Sequence, residues 1–163
     1  MPLTGETSFT EKMKQMGYPL RTENIVFKQI PYDEKVYHVI QAEPDDVVYQ
    51  IGRLRYIHEE PIAIHNSFVK KATFPNIADE GPGIESMFAF YRKHGFHQFT
   101  SSKTTLSVTF PTLEQQRLLS CKSLVPLIVV ETNCVDEQSG NILEYTKILY
   151  RSDTFKYDIS CNL

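Results

Sequence analysis

Two periodicities alternate along the chain. Residues 22–30 (TENIVFKQI) place apolar and polar side chains in turn, the pattern of a half-buried strand. Residues 47–57 (VVYQIGRLRYI) and 61–69 (PIAIHNSFV) flank the tight turn His58-Glu59-Glu60 and predict a β-hairpin. Residues 124–135 and 141–150 flank a turn at 136–140 and predict a second one. Residues 98–110, with Thr100, Thr104, Thr105 and Thr109, read as one strand, and 154–159 (TFKYDI) as the last. Helical spacing interrupts this pattern. Residues 33–41 are capped by Asp33 and put Val36, Val39 and Ile40 on one face. Residues 85–94 (ESMFAFYRKH) close at Gly95, and 113–120 open after Pro111-Thr112. Residues 7–17 start at Thr7 or Ser8 and stop at Gly17. Residues 43–46 read as a turn, and 70–84, with Pro75, Gly81, Pro82 and Gly83, as a loop.

Residues 33–69 and 113–150 share one order: short helix, turn, long strand, acidic turn, long strand. The pattern suggests an internal duplication. It predicts an α+β domain, a mostly antiparallel six-stranded sheet flanked by short helices, with a cleft between the two equivalent hairpins.

Composition narrows the function. A chain of 163 residues with 41% hydrophobic and 23% charged residues suits one globular domain. A net charge of −3 and a pI near 5.9 argue against this chain gripping nucleic acid by itself, which takes an excess of Lys and Arg. The longest apolar run, residues 124–130, is far short of the roughly 20 residues a membrane span needs. Residues 1–10 show no signal-peptide pattern, and Cys121, Cys134 and Cys161 form no disulfide framework, so a reducing cytoplasm is the expected location.

Candidate chemistry centres on Arg53 and Arg55. Two residues apart on one strand, they share a face and repel each other unless an anion sits between them. The alternative is two solvated arginines paired with Glu59, Glu60 or Glu131. Ser8 and Thr10 lie at a helix start, where free backbone N–H groups attract anions, or where Ser8 is a simple cap. His94 and His97 straddle Gly95 and lack partners at ligand spacing, so no metal or cofactor is expected. Phe88, Phe90 and Tyr91 read as helix core.

Three segments carry a family resemblance. Thr7-Ser8-Phe9-Thr10-Glu11-Lys12-Met13 resembles the opening of UTRA domains, the effector-binding halves of GntR-type (HutC subfamily) bacterial transcription regulators. Arg53-Leu54-Arg55-Tyr56 with Glu60-Pro61-Ile62-Ala63 resembles their hairpin, and Glu144-Tyr145-Thr146 through Tyr150-Arg151-Ser152-Asp153-Thr154-Phe155 resembles their close. The resemblance implies a chorismate-lyase-like fold, a homodimer, and a winged helix DNA-binding domain that this chain lacks. Residues 1–6 would then be a linker remnant and 7–163 the effector-binding and dimerisation domain. It also implies that Thr10 and Ser86 help hold an effector's phosphate and that Glu144 and Tyr150 contact its polar body. From the residues alone, Glu144 reads equally as an exposed strand glutamate and Tyr150 as a core tyrosine. His65 stands where many relatives have glutamate, and Phe88 where many have tyrosine, so the ligand differs from the usual pattern. Arg151 and Asp153 are expected to be structural, fixing the turn into the last strand.

The expected function is therefore a sensor, a repressor's effector domain binding an anion such as a sugar phosphate. Two other classes compete. A chorismate-lyase-like enzyme is disfavoured because no nucleophile elbow, P-loop or metal cluster is present and fold likeness does not carry activity. An interaction-only dimerisation domain, with long strands pairing edge to edge, leaves the two arginines without a purpose.

Overall fold

The computed structural model describes residues 13–154. A helical turn at 13–15 ends at Gly17, whose φ of +76° suits glycine. It leads into β1 (Leu20–Gln29), followed by α1 (Glu34–Val39), β2 (Val48–Ile57) and β3 (Glu60–Lys70). A connection carrying α2 (Ile77–Glu80), a 3₁₀ turn at Gly81–Gly83 and α3 (Met87–Lys93) leads to β4 (Phe99–Thr100) and β5 (Thr104–Thr109). Then come α4 (Leu113–Leu119), β6 (Leu127–Asp136) and β7 (Ile142–Arg151). All strand pairs are antiparallel, in the order β1-β2-β3-β7-β6-β4, with β5 also on β6.

Local chemistry sets the element ends. Asp33 accepts a hydrogen bond from the Val36 amide at 3.0 Å, capping α1 as expected. Thr112 and Gln115 form a reciprocal capping box on α4. The β2–β3 turn has positive φ at His58 (+50°) and Glu59 (+61°), the double left-handed geometry that matches strand twist.

The internal duplication is geometric. Each half is a strand, a capped helix and a long hairpin, and up to the hairpin turn the second repeats the first 79 residues on: Asp33 matches Thr112, Gln41 (φ +54°) matches Ser120 (φ +50°), and Val48 matches Leu127, while in the return strands, by register, Lys70 matches Arg151. Even the irregularities coincide, since the hairpin register shifts after Arg55 in one half and after Cys134 in the other. The halves join where β3 pairs β7.

Two expected elements differ from the structure. The sheet has seven strands among the described residues, because the strand expected at 98–110 breaks at Ser101–Lys103. There Asn133 Oδ1 accepts from the Ser102 amide at 2.9 Å, and the Ser101 hydroxyl lies 2.7 Å from that of Thr132. The loop expected at 70–84 contains α2 and the 3₁₀ turn, anchored by Phe74 and Ile77, both wholly buried. The strand expected at 154–159 and most of the helix expected at 7–17 lie outside the described residues.

Two layers cover the sheet. On one face α1 packs Val36, Tyr37 and Ile40 around Val48 and Tyr145, while Leu119 of α4 meets Leu54, Ile64 and Leu149. On the other face the β3–β4 connection brings Phe74, Ile77, Met87, Phe90 and Tyr91 onto Ile51, Val69 and Leu143. This second layer roofs the candidate site. No helix among the described residues is long and apolar enough to cross a membrane.

Candidate effector site

Strand alternation puts Ile51, Arg53 and Arg55 on the roofed face of β2, and the register carries that face across the sheet. Arg53 stands opposite His65, Ile51 opposite Ser67 and Arg55 opposite Ala63. One strand further, Ser67 faces Thr146 and Ala63 faces Tyr150. A polar patch results inside the protein. Arg53 is 3% exposed, Arg55 2%, His65 4% and Glu144 6%, so the solvated-arginine alternative does not hold. The carboxylates it invoked are engaged elsewhere: Glu59 with Arg21 at 2.9 Å, Glu60 with Arg151 at 3.2 Å and Glu131 with Lys35 at 2.5 Å.

Both guanidiniums donate to neutral groups. Arg53 donates to Ser67 Oγ at 2.9 Å and to the Glu85 carbonyl at 3.2 Å, and Arg55 donates to Thr22 Oγ1 at 2.7 Å. Arg53 Nε and Glu144 Oε2 are buried without a hydrogen-bond partner among the described residues. Burial lowers the Arg53 pKa, against the pull of Glu144. Burial and then the charge of Arg53 bring Arg55 down to about 9. Burial, then Arg55 and Arg53, hold His65 well below 6.5, so its imidazole is neutral. Burial and Glu144 raise the Tyr91 hydroxyl well above its usual range. The face thus sets two guanidiniums side by side, with the Glu144 carboxylate near Arg53, in a low-dielectric setting where charge-assisted hydrogen bonds are strong.

A cleft of about 590 Å³ opens beside it. It is lined by Lys14, Thr22, Arg55, Glu85, Ser86 and Phe90 among others, so it lies between the first half of the sheet and the β3–β4 connection. The expectation of a cleft between the hairpins is thereby corrected: the hairpins are hydrogen-bonded neighbours, leaving no gap. Ser86 caps α3, accepting from the Ala89 amide at 3.3 Å, and reaches the cleft wall. His65 packs edge-on to Tyr150 with ring centroids 6.0 Å apart. Phe88 lies against Phe99 and Tyr91 at 5.0 and 6.1 Å, in the aromatic core and away from the cleft lining. Ser8 and Thr10 lie outside the described residues.

Thr22, Ser67 and Glu85 escaped the sequence reading. Thr22 was legible in principle, because pairing the alternation of β1 with that of β2 sets it opposite Arg55. Glu85 contributes a backbone carbonyl, which no side-chain pattern announces. Arg151 and Asp153 form the expected structural pair, bonded twice at 3.1 and 2.9 Å. His94 bonds Glu80 at 2.7 Å, and no cluster of three or more metal-ligating side chains occurs among the described residues.

With this geometry in hand, the comparisons with known proteins are specific. The family model described as UTRA domain matches residues 15–156. The chain belongs to the UTRA domain family. Such domains are the effector-binding parts of GntR-family regulators, and the relatives are transcriptional regulators. The mannosyl-D-glycerate transport/metabolism system repressor MngR of Escherichia coli is 26% identical over 94% of this UTRA chain, which spans 63% of that relative's length. The effector domain of PhnF from Mycobacterium smegmatis superposes with a TM-score of 0.87 at 17% identity, covering all of both chains. The effector-binding domain of the trehalose repressor TreR of Bacillus subtilis gives 0.71 at 18% identity over 88% of this chain and 98% of that one.

Proposed function

We propose that this UTRA domain is the sensing part of a transcription repressor, not an enzyme, and that its effector is an anion, a sugar phosphate. The carrying observation is the pair Arg53 and Arg55, buried on one face with both pKa values pushed down. Burying two like charges side by side is costly, and a bound anion offsets that cost. The sugar part of the reading draws on the names of two relatives, a mannosyl-D-glycerate system repressor and a trehalose repressor.

In this reading Arg53, Arg55 and Ser86 hold the charged end of the effector, joined by Thr10 and Ser8 from the N-terminal segment. Glu144 and Tyr150 read the sugar body and His65 borders Arg53, while Phe88, packed on Phe99, stays in the core behind the site. Lys14, on the helical turn that follows Thr10, lines the cleft, so occupancy reaches the N-terminal side of the domain. A DNA-binding winged helix joined there, in a homodimer, would be re-aimed by the differential stability of its two states.

A thermal-shift panel of sugar phosphates, free sugars, organic acids and inorganic phosphate tests the proposal, since a ligand of the native state raises Tm by mass action. Stabilisation by one sugar phosphate, absent for its free sugar and lost in Arg53→Ala, is the expected result. No shift with any anion would overturn it.

A further inference from the structure

The face of the sheet turned away from Arg53 and Arg55 carries a second cavity, of about 760 Å³. Its floor is β6 and β7, at Glu131, Asn133 and Tyr145. One wall is α1 with the chain that follows it, and the other is the Ser102-Lys103 segment between β4 and β5. The internal repeat shows that the fold does not require a polar floor there. Glu131 and Asn133 match Gly52 and Leu54, and by register Tyr145 matches Ile64. In the first half Leu119 of α4 closes over Leu54 and Ile64 in an apolar core. Its counterpart at the end of α1, Ile40, closes over Tyr145, while the neighbouring floor stays polar and open.

The charges around this cavity balance, Lys35 and Lys103 against Glu43 and Glu131. Glu131 Oε1 accepts from Lys35 at 2.5 Å and from the Tyr145 hydroxyl, and these two bonds, Lys35 first, hold its pKa below the usual carboxylate range. Its Oε2 has no hydrogen-bond partner among the described residues. Asn133 is occupied in fixing the wall: it accepts from the Ser102 amide at 2.9 Å and donates to the Ser102 hydroxyl at 2.6 Å. The next residue, Lys103, has no hydrogen bond or ion pair from its ammonium among the described residues. An open carboxylate oxygen and an unpaired ammonium therefore line one cavity, beside an apolar wall of Val39, Ala42 and Ile142. A simple anion would meet Glu131, and a simple cation would meet Lys35 and Lys103. A molecule with one charge of each sign satisfies both groups.

We infer that this cavity is a second small-molecule site, and that its ligand is a zwitterion, an α-amino acid. The ligand's ammonium donates to Glu131 Oε2. Its carboxylate pairs with Lys103, with the hydroxyls of Ser102 and Thr105 as further donors. Its side chain lies against Val39, Ala42 and Ile142. The cavity volume is in the range of small-molecule pockets. The site shares no lining residue with the cleft beside Arg55, so the two ligands bind independently.

Calorimetric titration of the chain with each common α-amino acid in turn tests the assignment. An amino acid with an apolar side chain should bind. Its amide, which lacks the carboxylate, and its deaminated acid, which lacks the ammonium, should each bind about 10-fold more weakly, the worth of one charge-assisted hydrogen bond. Lys103→Ala, at an exposed position, should weaken the amino acid by about 10-fold. Lys122→Ala, the same charge change at another exposed position, should leave its affinity intact. Excess inorganic phosphate, which addresses the arginine site, should not compete. Failure of every amino acid to bind, equal affinity for the amide and the deaminated acid, or equal losses in the two lysine variants would overturn the assignment. Competition by phosphate would overturn it as well, by placing the amino acid at Arg53 and Arg55.

Discussion

In the first half of the sheet Arg53, Arg55 and His65 lie under the Phe74-to-His94 roof; in the second half the same backbone positions carry Thr132, Cys134 and Thr146. Caps, left-handed helix ends and register shifts are shared, and the charges are not. A fold that accepts threonine and cysteine at these sites does not need arginine there to form. The difference assigns the shared features to architecture and supports the proposal that the unshared charges serve the effector.

The largest effect should come where the halves differ in charge. Arg53→Ala is expected to weaken an anionic effector by about 2–4 kcal/mol, as for a desolvated charged partner, whereas Thr132→Ala leaves affinity unchanged. Titration calorimetry of both variants measures this, and equal losses in the two would dissolve the contrast. Next comes the clamp at the end of each hairpin. Arg151 donates to the carbonyls of Pro61 at 3.3 Å and Leu119 at 3.1 Å while chelating Asp153; its match, Lys70, reaches the Gln41 carbonyl at 3.4 Å. Arg151→Ala should cost about 3 kcal/mol in urea unfolding, and Lys70→Ala less than about 0.5.

Smaller effects probe the roof and the buried imidazole. A Cβ at Gly81 would lie 2.0 Å from the Phe27 ring, so Gly81→Ala should destabilise by about 1–3 kcal/mol. Gly83, with nothing within 4 Å, should tolerate alanine within about 0.5 kcal/mol. Equal urea midpoints for the two variants would mean the 3₁₀ turn is not seated on β1. His65 gives the smallest effect. Its folded pKa lies well below 6.5, so under more acid conditions the unfolded chain binds a proton that the native state does not. Stability contributed by the neutral imidazole is present above about pH 6.5 and lost as pH falls, by at most about 1.4 kcal/mol per unit. His65→Gln should flatten that part of the stability–pH curve, and an unchanged slope would show that His65 takes up its proton in the folded protein.

The sequence carried most of this architecture because alternation and capping are local. Asp33, Thr112 and the double hairpin pattern each mark an element without tertiary information. The Ser101–Lys103 break was invisible, since it depends on Thr132 and Asn133 reaching across from another strand. The roof was partly hidden for the same reason: the burial of Phe74 and Ile77 overrides the Pro/Gly signal around them. Arg53 and Arg55 were legible as a same-face pair, but their burial was not, because alternation does not say what covers a face. Thr22 and the Glu85 carbonyl needed register and backbone geometry.

The central claim is that the buried arginines select an anion. Its most direct test is calorimetric titration of the wild-type chain with the sugar phosphate that stabilises it most and with the same sugar lacking the phosphate. The account predicts that the phosphate form binds tighter by about 100-fold, the contribution of desolvated charge-assisted hydrogen bonds. Equal affinity for the two would contradict it and return Arg53 and Arg55 to a structural role.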